Sequence, residues 1–133
     1  MEEFYKFSKD MKYLALYWAL GFQEKDEDIF VKRYSKDFHI LIDAKNQIVE
    51  MEGISILNDK DFKLNTHKSF VVLECIDRLL IMGYKPFEII VDFDNEYDIY
   101  VCNLMIRCFE WGHLDYEDNI RLRSPNVYGI KYS

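Results

Sequence analysis

Carboxylates alternate along one short segment, Asp92, Asp94, Glu96 and Asp98. This spacing is typical of a calcium loop, since hard cations bind several oxygen ligands. Tyr97, however, stands where such a loop needs a glycine, so an EF-hand is excluded. We interpret the segment as a hairpin turn whose acidic surface binds Lys or Arg side chains of a partner, with a solvated turn as the alternative. Further acidic residues of the same predicted surface are Asp115, Glu117 and Asp118.

A second set of carboxylates, Asp37, Glu50 and Glu52, lies on two predicted neighbouring strands. An Asp on one strand and an acidic pair on the next can hold a divalent metal beside a phosphodiester. This arrangement resembles the PD-(D/E)XK nuclease pattern, which implies Mg²⁺ bound by Asp37 and Glu50, with Glu52 where the family usually has Lys. A two-residue turn places Asp37, His39, Glu50 and Glu52 on one face, whereas a three-residue turn puts the two glutamates on the face opposite Asp37. A solvent-facing polar hairpin is the alternative.

The only locally basic, aromatic-rich segment lies near the end of the sequence. Arg121 and Arg123 project to the same side of an extended chain. With Tyr128 and Lys131 they form a candidate ligand-binding site, because Arg suits the recognition of planar anions. The segment either clamps a phosphate or nucleotide, or pairs with the acidic turn inside the fold.

The three cysteines, Cys75, Cys102 and Cys108, form no CxxC pair, and no histidine has zinc-like spacing to them. An odd number of cysteines without a disulfide pattern favours a reducing compartment. We predict no metal site and no cofactor, except for the Mg²⁺ that the nuclease alternative requires. Cys75 lies among apolar residues of a predicted helix and is interpreted as a buried structural thiol.

Composition limits the class of partner. The chain has 133 residues, a formal net charge of −7 and 17% aromatic residues. The negative charge argues against direct nucleic-acid binding and favours a basic partner. The sequence has neither a secretory signal pattern nor an apolar run long enough to span a bilayer, so we expect a cytoplasmic protein without membrane contact.

Apolar spacing defines the elements that must position these residues. Spacings of three and four predict a helix over residues 2–20. Strands are expected over 29–34, 37–43 and 47–52, and the segment 53–63 is expected to be loop or edge structure. The strongest helix signal covers 66–82, with Thr66 as the N-cap.

The remaining segments are shorter. Strands are predicted at 87–91 and 98–102, a short helix at 104–111, a loop at 113–126 and a closing strand at 127–132. The sequence therefore predicts a single α+β domain over residues 1–133. Its order is helix, three-strand antiparallel meander, helix and further strands, with the helices packed on one face of a largely antiparallel sheet.

The favoured function is an acidic, aromatic-rich protein-binding module that is not an enzyme. Such a surface suits an inhibitor that occupies the basic site of a nucleic-acid-processing partner, as in phage anti-defence or immunity proteins. A metal-dependent nuclease and an oligomeric small-nucleotide sponge are the two alternatives. Exposed aromatic residues are also consistent with a homodimer or higher oligomer.

Overall fold

The computed structural model describes residues 16–57, 61–64, 66–94, 97–108 and 128–132. In these ranges it contains one long helix, α1 (His67–Ile81), and two five-stranded sheets, which confirms the α+β class. The strands are β1 (Gln23–Asp26), β2 (Ile29–Arg33), β3 (His39–Asp43), β4 (Ile48–Glu50), β5 (Ser55–Leu57), β6 (Phe62–Lys63), β7 (Ile89–Asp92), β8 (Ile99–Val101), β9 (Leu104–Cys108) and β10 (Tyr128–Tyr132).

The first sheet is an antiparallel meander in the order β1-β2-β3-β4-β6. Buried and more exposed side chains alternate along its central strands, as the sequence predicts, because one face of the sheet is buried and the other meets water. Phe30, Ile40, Ile42 and Val49 are buried on the inner face. The three predicted strands of the meander correspond to β2, β3 and β4.

The second sheet has the order β10-β9-β8-β7-β5. Its pairs are antiparallel except for β5 and β7, which run parallel. The strands predicted at 98–102 and 127–132 correspond to β8 and β10. The strands are thus divided between two sheets, whereas the sequence led us to expect a single one.

Helix α1 begins and ends where the sequence predicts. The Thr66 side chain accepts a hydrogen bond from the Ser69 backbone N–H, and the Ser69 side chain accepts one from the Thr66 N–H. This reciprocal capping satisfies two donors that the first helical turn leaves free. Gly83 follows the helix with φ of 108°, a left-handed conformation that glycine adopts without strain.

The helix lies between the two sheets. Lys68 contacts Asp98, beside β8, while Asp77 contacts Lys32 on β2. Nine positions separate Lys68 from Asp77, and at about 100° per residue they lie on opposite sides of the helix. The helix is therefore buried on both sides, with a partly exposed stripe between them at Phe70, Glu74 and Arg78.

Several predicted elements differ from the structure. The predicted short helix at 104–111 is wrong, because residues 104–108 form β9. No strand was predicted over 23–27, where the structure has β1, whereas the segment 53–63, expected to be loop or edge structure, contains the two edge strands β5 and β6. Of the helix predicted at 2–20, only residues 16–20 lie in the described part, and 16–19 of these are helical. The predicted loop at 113–126 lies outside the described residues.

Within the described ranges, none of the helices has the length and apolar character needed to cross a bilayer.

Candidate functional site

The most exposed acidic surface in the described residues is the hairpin that joins β1 to β2. All four residues of β1 are exposed, and Asp26 pairs with Ile29 across a two-residue turn. Asp28 closes this turn with φ of 60°, a left-handed conformation that Asp tolerates better than most residues. We call Glu24, Asp26, Glu27 and Asp28 the acidic hairpin.

The acidic hairpin has little internal charge compensation. Between Gln23 and Asp28, Lys25 is the only basic residue beside four carboxylates. None of the salt bridges in the described part of the chain includes a residue of this hairpin. Its one recorded side-chain hydrogen bond is local, since the Glu27 N–H donates to Asp26 Oδ1 at 2.7 Å. Three carboxylates, on Glu24, Asp26 and Glu27, therefore face solvent.

Trp18 and Phe87 are exposed among the side chains whose burial the structure describes. Trp18 is 58% exposed and Phe87 is 79% exposed. Trp18 lies at the end of the helical segment that leads into β1, where the Gly21 N–H donates to the Trp18 carbonyl at 2.9 Å. Phe87 follows α1, and Ile81, the last residue of α1, and Met82 are exposed as well. Exposed rings of this kind are common in protein–protein contacts.

The acidic turn predicted at 92–98 is built differently, because two of its carboxylates point inward. Asp98 is fully buried, and its Oδ1 lies 2.8 Å from the Lys68 Nζ. Its Oδ2 accepts a hydrogen bond from the Cys108 N–H at 2.8 Å. Asp92 is also buried, and it accepts a hydrogen bond from the Asp94 N–H at 3.1 Å.

These contacts correct the prediction of an exposed acidic surface for Asp92 and Asp98. A buried carboxylate that already accepts bonds from the protein cannot also bind a partner's Lys or Arg. Asp94 is exposed and remains a candidate. The other predicted members of this surface, Glu96, Asp115, Glu117 and Asp118, lie outside the described residues.

The carboxylates of the nuclease alternative lie on the outer side of the first sheet. Glu50 pairs with Leu41 across a four-residue turn, and this even register puts Glu50 on the face that carries His39. Asp37, Glu50 and Glu52 are all exposed. In the described part of the chain, no three His, Cys, Asp or Glu side chains are grouped so that they could hold a metal ion.

The turn between β3 and β4 carries one perturbed carboxylate. Asp43 accepts hydrogen bonds from the Asn46 side chain at 2.8 Å and from the Asn46 N–H at 3.1 Å. These bonds stabilise the ionised form and hold the pKa of Asp43 below its usual value. Gln47, with φ of 58°, then turns the chain into β4. Asp43 therefore has a local role in closing the hairpin.

The predicted basic site is only partly described. Arg121 and Arg123 lie outside the described residues. Tyr128 and Lys131 are on β10, at one edge of the second sheet, where Tyr128 pairs with Cys108 and Lys131 with Met105.

A polar cluster joins α1 to the first sheet. Lys32 Nζ lies 2.7 Å from Asp77 Oδ1, and the Tyr34 hydroxyl donates to the same oxygen. Lys32 also donates to the Leu20 carbonyl and lies 5.1 Å from the centre of the Tyr34 ring. Burial, followed by the bond to Asp77, raises the pKa of Tyr34 well above its usual range. Tyr34 therefore stays protonated and acts as a hydrogen-bond donor, not as a base.

Two of the three thiols, Cys102 and Cys108, lack the features of an activated nucleophile. Contact with Cys75, together with burial, raises the pKa of Cys108 far above its usual value. Cys102 is exposed, and its thiol donates to Glu88 Oε2 at 3.0 Å, which raises the pKa of Cys102. Because the thiolate is the reactive form, these environments reduce the reactivity of both thiols.

Comparison with protein families, with curated proteins and with solved structures yields no match to this chain.

Proposed function

We propose that this protein is a non-enzymatic binding module that uses an acidic surface to occupy a basic site on a partner protein. The observation that carries the proposal is the acidic hairpin, whose exposed carboxylates have no basic partner among the described residues. Inhibition of a nucleic-acid-processing protein is the activity that this chemistry suits, because such partners present Lys and Arg to phosphates. A phage anti-defence or immunity protein would act in this way.

Charge also affects how fast such a complex forms. The chain has a formal net charge of −7, so its field attracts a basic protein at a distance. Complementary charge increases the association rate and selects the partner, and both effects weaken as salt is added. Exposed Trp18, close in sequence to β1, offers an apolar contact of the kind that salt does not screen.

The test is recovery of partners from the host lysate on the tagged protein at low salt, with identification by mass spectrometry. The informative variant is Glu24→Gln/Asp26→Asn/Glu27→Gln, which neutralises three exposed carboxylates of the acidic hairpin. A matched variant, Asp37→Asn/Glu50→Gln/Glu52→Gln, changes the net charge equally on another hairpin of the same sheet. Both sets of residues are exposed, so neither variant removes a buried contact.

We expect a stoichiometric basic partner to be retained by the wild type and by the matched variant. The acidic-hairpin variant is expected to lose it, and added salt is expected to release it. Equal loss from both variants would mean that total charge, and not this hairpin, binds the partner. Absence of any basic partner would refute the proposed function.

A metal-dependent nuclease is the second candidate, and one observation favours it. The even register of β3 and β4 places Glu50 on the same face as His39, as the two-residue-turn alternative required. This candidate predicts Mg²⁺- or Mn²⁺-dependent cleavage of a nucleic acid by the purified protein. Cleavage must be lost in Glu50→Ala, and an inactive wild-type protein would exclude it.

A further inference from the structure

The outer edge of β1 is the part of the first sheet best suited to bind another chain. β1 is the terminal strand of the sheet, and among the described residues no strand pairs with its other side. All four of its side chains are exposed. An edge strand of this kind presents unpaired N–H and C=O groups, which form a template for another extended chain.

The other sheet edges offer less. β6, at the opposite edge of the first sheet, has two residues. β5, at one edge of the second sheet, has three residues, and its Leu57 is 45% exposed. β1 is therefore the longest edge strand whose side chains the structure describes, and the only one of these with every side chain exposed.

Charge determines which chain the edge accepts. Glu24 and Asp26 lie on β1 itself, and Glu27 and Asp28 form the turn that follows it. A second copy of this edge would bring like charges into register, which destabilises strand pairing. An extended segment that carries Lys or Arg would instead place opposite charges across the new strand pair. The charges of β1 thus disfavour pairing with a second copy of this edge and favour pairing with a basic segment.

We propose that β1 takes an added strand from an extended, Lys- or Arg-bearing segment of the partner protein. This inference rests on the proposed function and specifies how the acidic hairpin makes its contact. Main-chain hydrogen bonds to β1 hold the segment, and the carboxylates select its charge. The proposal predicts new backbone hydrogen bonds as well as salt-sensitive attraction.

Two synthetic probes separate these two contributions. The first is a short peptide of alternating Lys and Thr, which favours an extended chain and carries positive charge. The second has the same sequence with its backbone nitrogens methylated at alternate positions, so that it keeps the charge but loses donors along one edge. Binding of each to the intact protein is measured at low salt, with amide hydrogen exchange followed at residues 23–26.

We expect the unmodified peptide to slow amide exchange in β1. We expect the methylated peptide to bind at least about tenfold more weakly, because it cannot form several of the backbone hydrogen bonds.

Failure of strand addition and failure of the proposed function give different results. If both peptides bind equally, without protection of β1 but with loss on Glu24→Gln/Asp26→Asn/Glu27→Gln, the acidic hairpin binds by charge alone. Strand addition is then wrong, while the proposed function stands. If neither peptide binds at low salt, strand addition is refuted, and recovery of a basic partner from the lysate alone decides the proposed function.

Discussion

Two acidic turns of this protein have the same number of carboxylates but orient them differently. The acidic hairpin, between β1 and β2, has three solvent-facing carboxylates. The turn between β7 and β8 also begins and ends with carboxylates, yet Asp92 and Asp98 are both buried there. Local charge density is comparable in the two segments, so charge density does not determine which one meets a partner.

The difference arises from what each carboxylate can reach. Asp98 is within bonding distance of Lys68 on α1 and of the Cys108 N–H on β9, so its charge is compensated inside the protein. The acidic hairpin is at a sheet edge and has no such partners among the described residues. The inward turn therefore stabilises the fold, and the outward one is available for binding.

The largest effect expected from this comparison is on Asp98. Asp98→Ala leaves Lys68 without its partner and the buried Cys108 N–H without an acceptor. Lys68 is partly exposed and can regain water, so the main cost is the lost ion pair together with the unpaired buried Cys108 N–H. We expect a decrease of about 2 kcal/mol in the free energy of unfolding, measured by urea denaturation.

The control for Asp98→Ala is Asp94→Ala, in the same turn. Asp94 is exposed, and its recorded bond is made by its backbone N–H, which alanine retains. Its free energy of unfolding should change by less than about 0.5 kcal/mol. Similar values for the two variants would contradict the inward role of Asp98.

The next effect concerns pH and the polar cluster on the other side of α1. Burial and the bond to Asp77 raise the pKa of Tyr34 from its usual value of 10.0, and contact with Cys75 raises the pKa of Cys108 from 9.0. Above these usual values the unfolded chain releases protons that the folded protein retains. The contribution of these two groups to the free energy of unfolding is therefore fully present below about pH 9. It falls as pH rises, by up to about 1.4 kcal/mol per pH unit for each group.

Tyr34→Phe isolates one of the two groups. The variant lacks the phenol proton but keeps the ring and the Lys32–Asp77 ion pair. Between about pH 9 and 11, its free energy of unfolding should fall less steeply than that of the reduced wild-type protein. Urea denaturation across this range measures both slopes. Equal slopes would mean that Tyr34 releases its proton in the folded protein as readily as in the unfolded chain.

The sequence was sufficient to predict elements with a local signal. Thr66 and Gly83 mark the two ends of α1, and the apolar residues between them have helical spacing over a long segment. The meander was predicted in outline because Phe30, Ile40 and Val49 alternate with more polar neighbours. These features depend only on residues close in sequence.

Features that depend on distant contacts were not predictable. β1 was missed because every one of its side chains is exposed, so it has no apolar alternation. Residues 104–108 were assigned to a helix because a short apolar run fits either period, and only pairing with β8 and β10 decides for a strand. The charge of buried Asp98 is compensated by Lys68, which lies thirty positions away in the sequence. No local pattern therefore reveals the orientation of Asp98.

A smaller effect is expected from the start of α1, the helix that carries Lys68 to Asp98. Thr66→Ala removes the acceptor for the Ser69 N–H, which lies 3.1 Å from the Thr66 hydroxyl. Loss of such a cap costs about 1 kcal/mol of stability. Urea denaturation should detect this decrease, and Thr66→Ser, which keeps the hydroxyl, should stay close to the wild type. A full loss in Thr66→Ser would show that the threonine methyl, and not the cap, is important.

The smallest effect on stability is expected from the acidic hairpin itself. Glu24→Gln/Asp26→Asn/Glu27→Gln removes three exposed charges and keeps an acceptor at position 26 for the Glu27 N–H. The free energy of unfolding should change by less than about 0.5 kcal/mol, and any change should be a gain at low salt that disappears at high salt, because like charges no longer repel. Urea denaturation at two salt concentrations measures this. A loss comparable to that of Asp98→Ala would mean that these carboxylates hold the fold together, and the contrast between the two acidic turns would then be wrong.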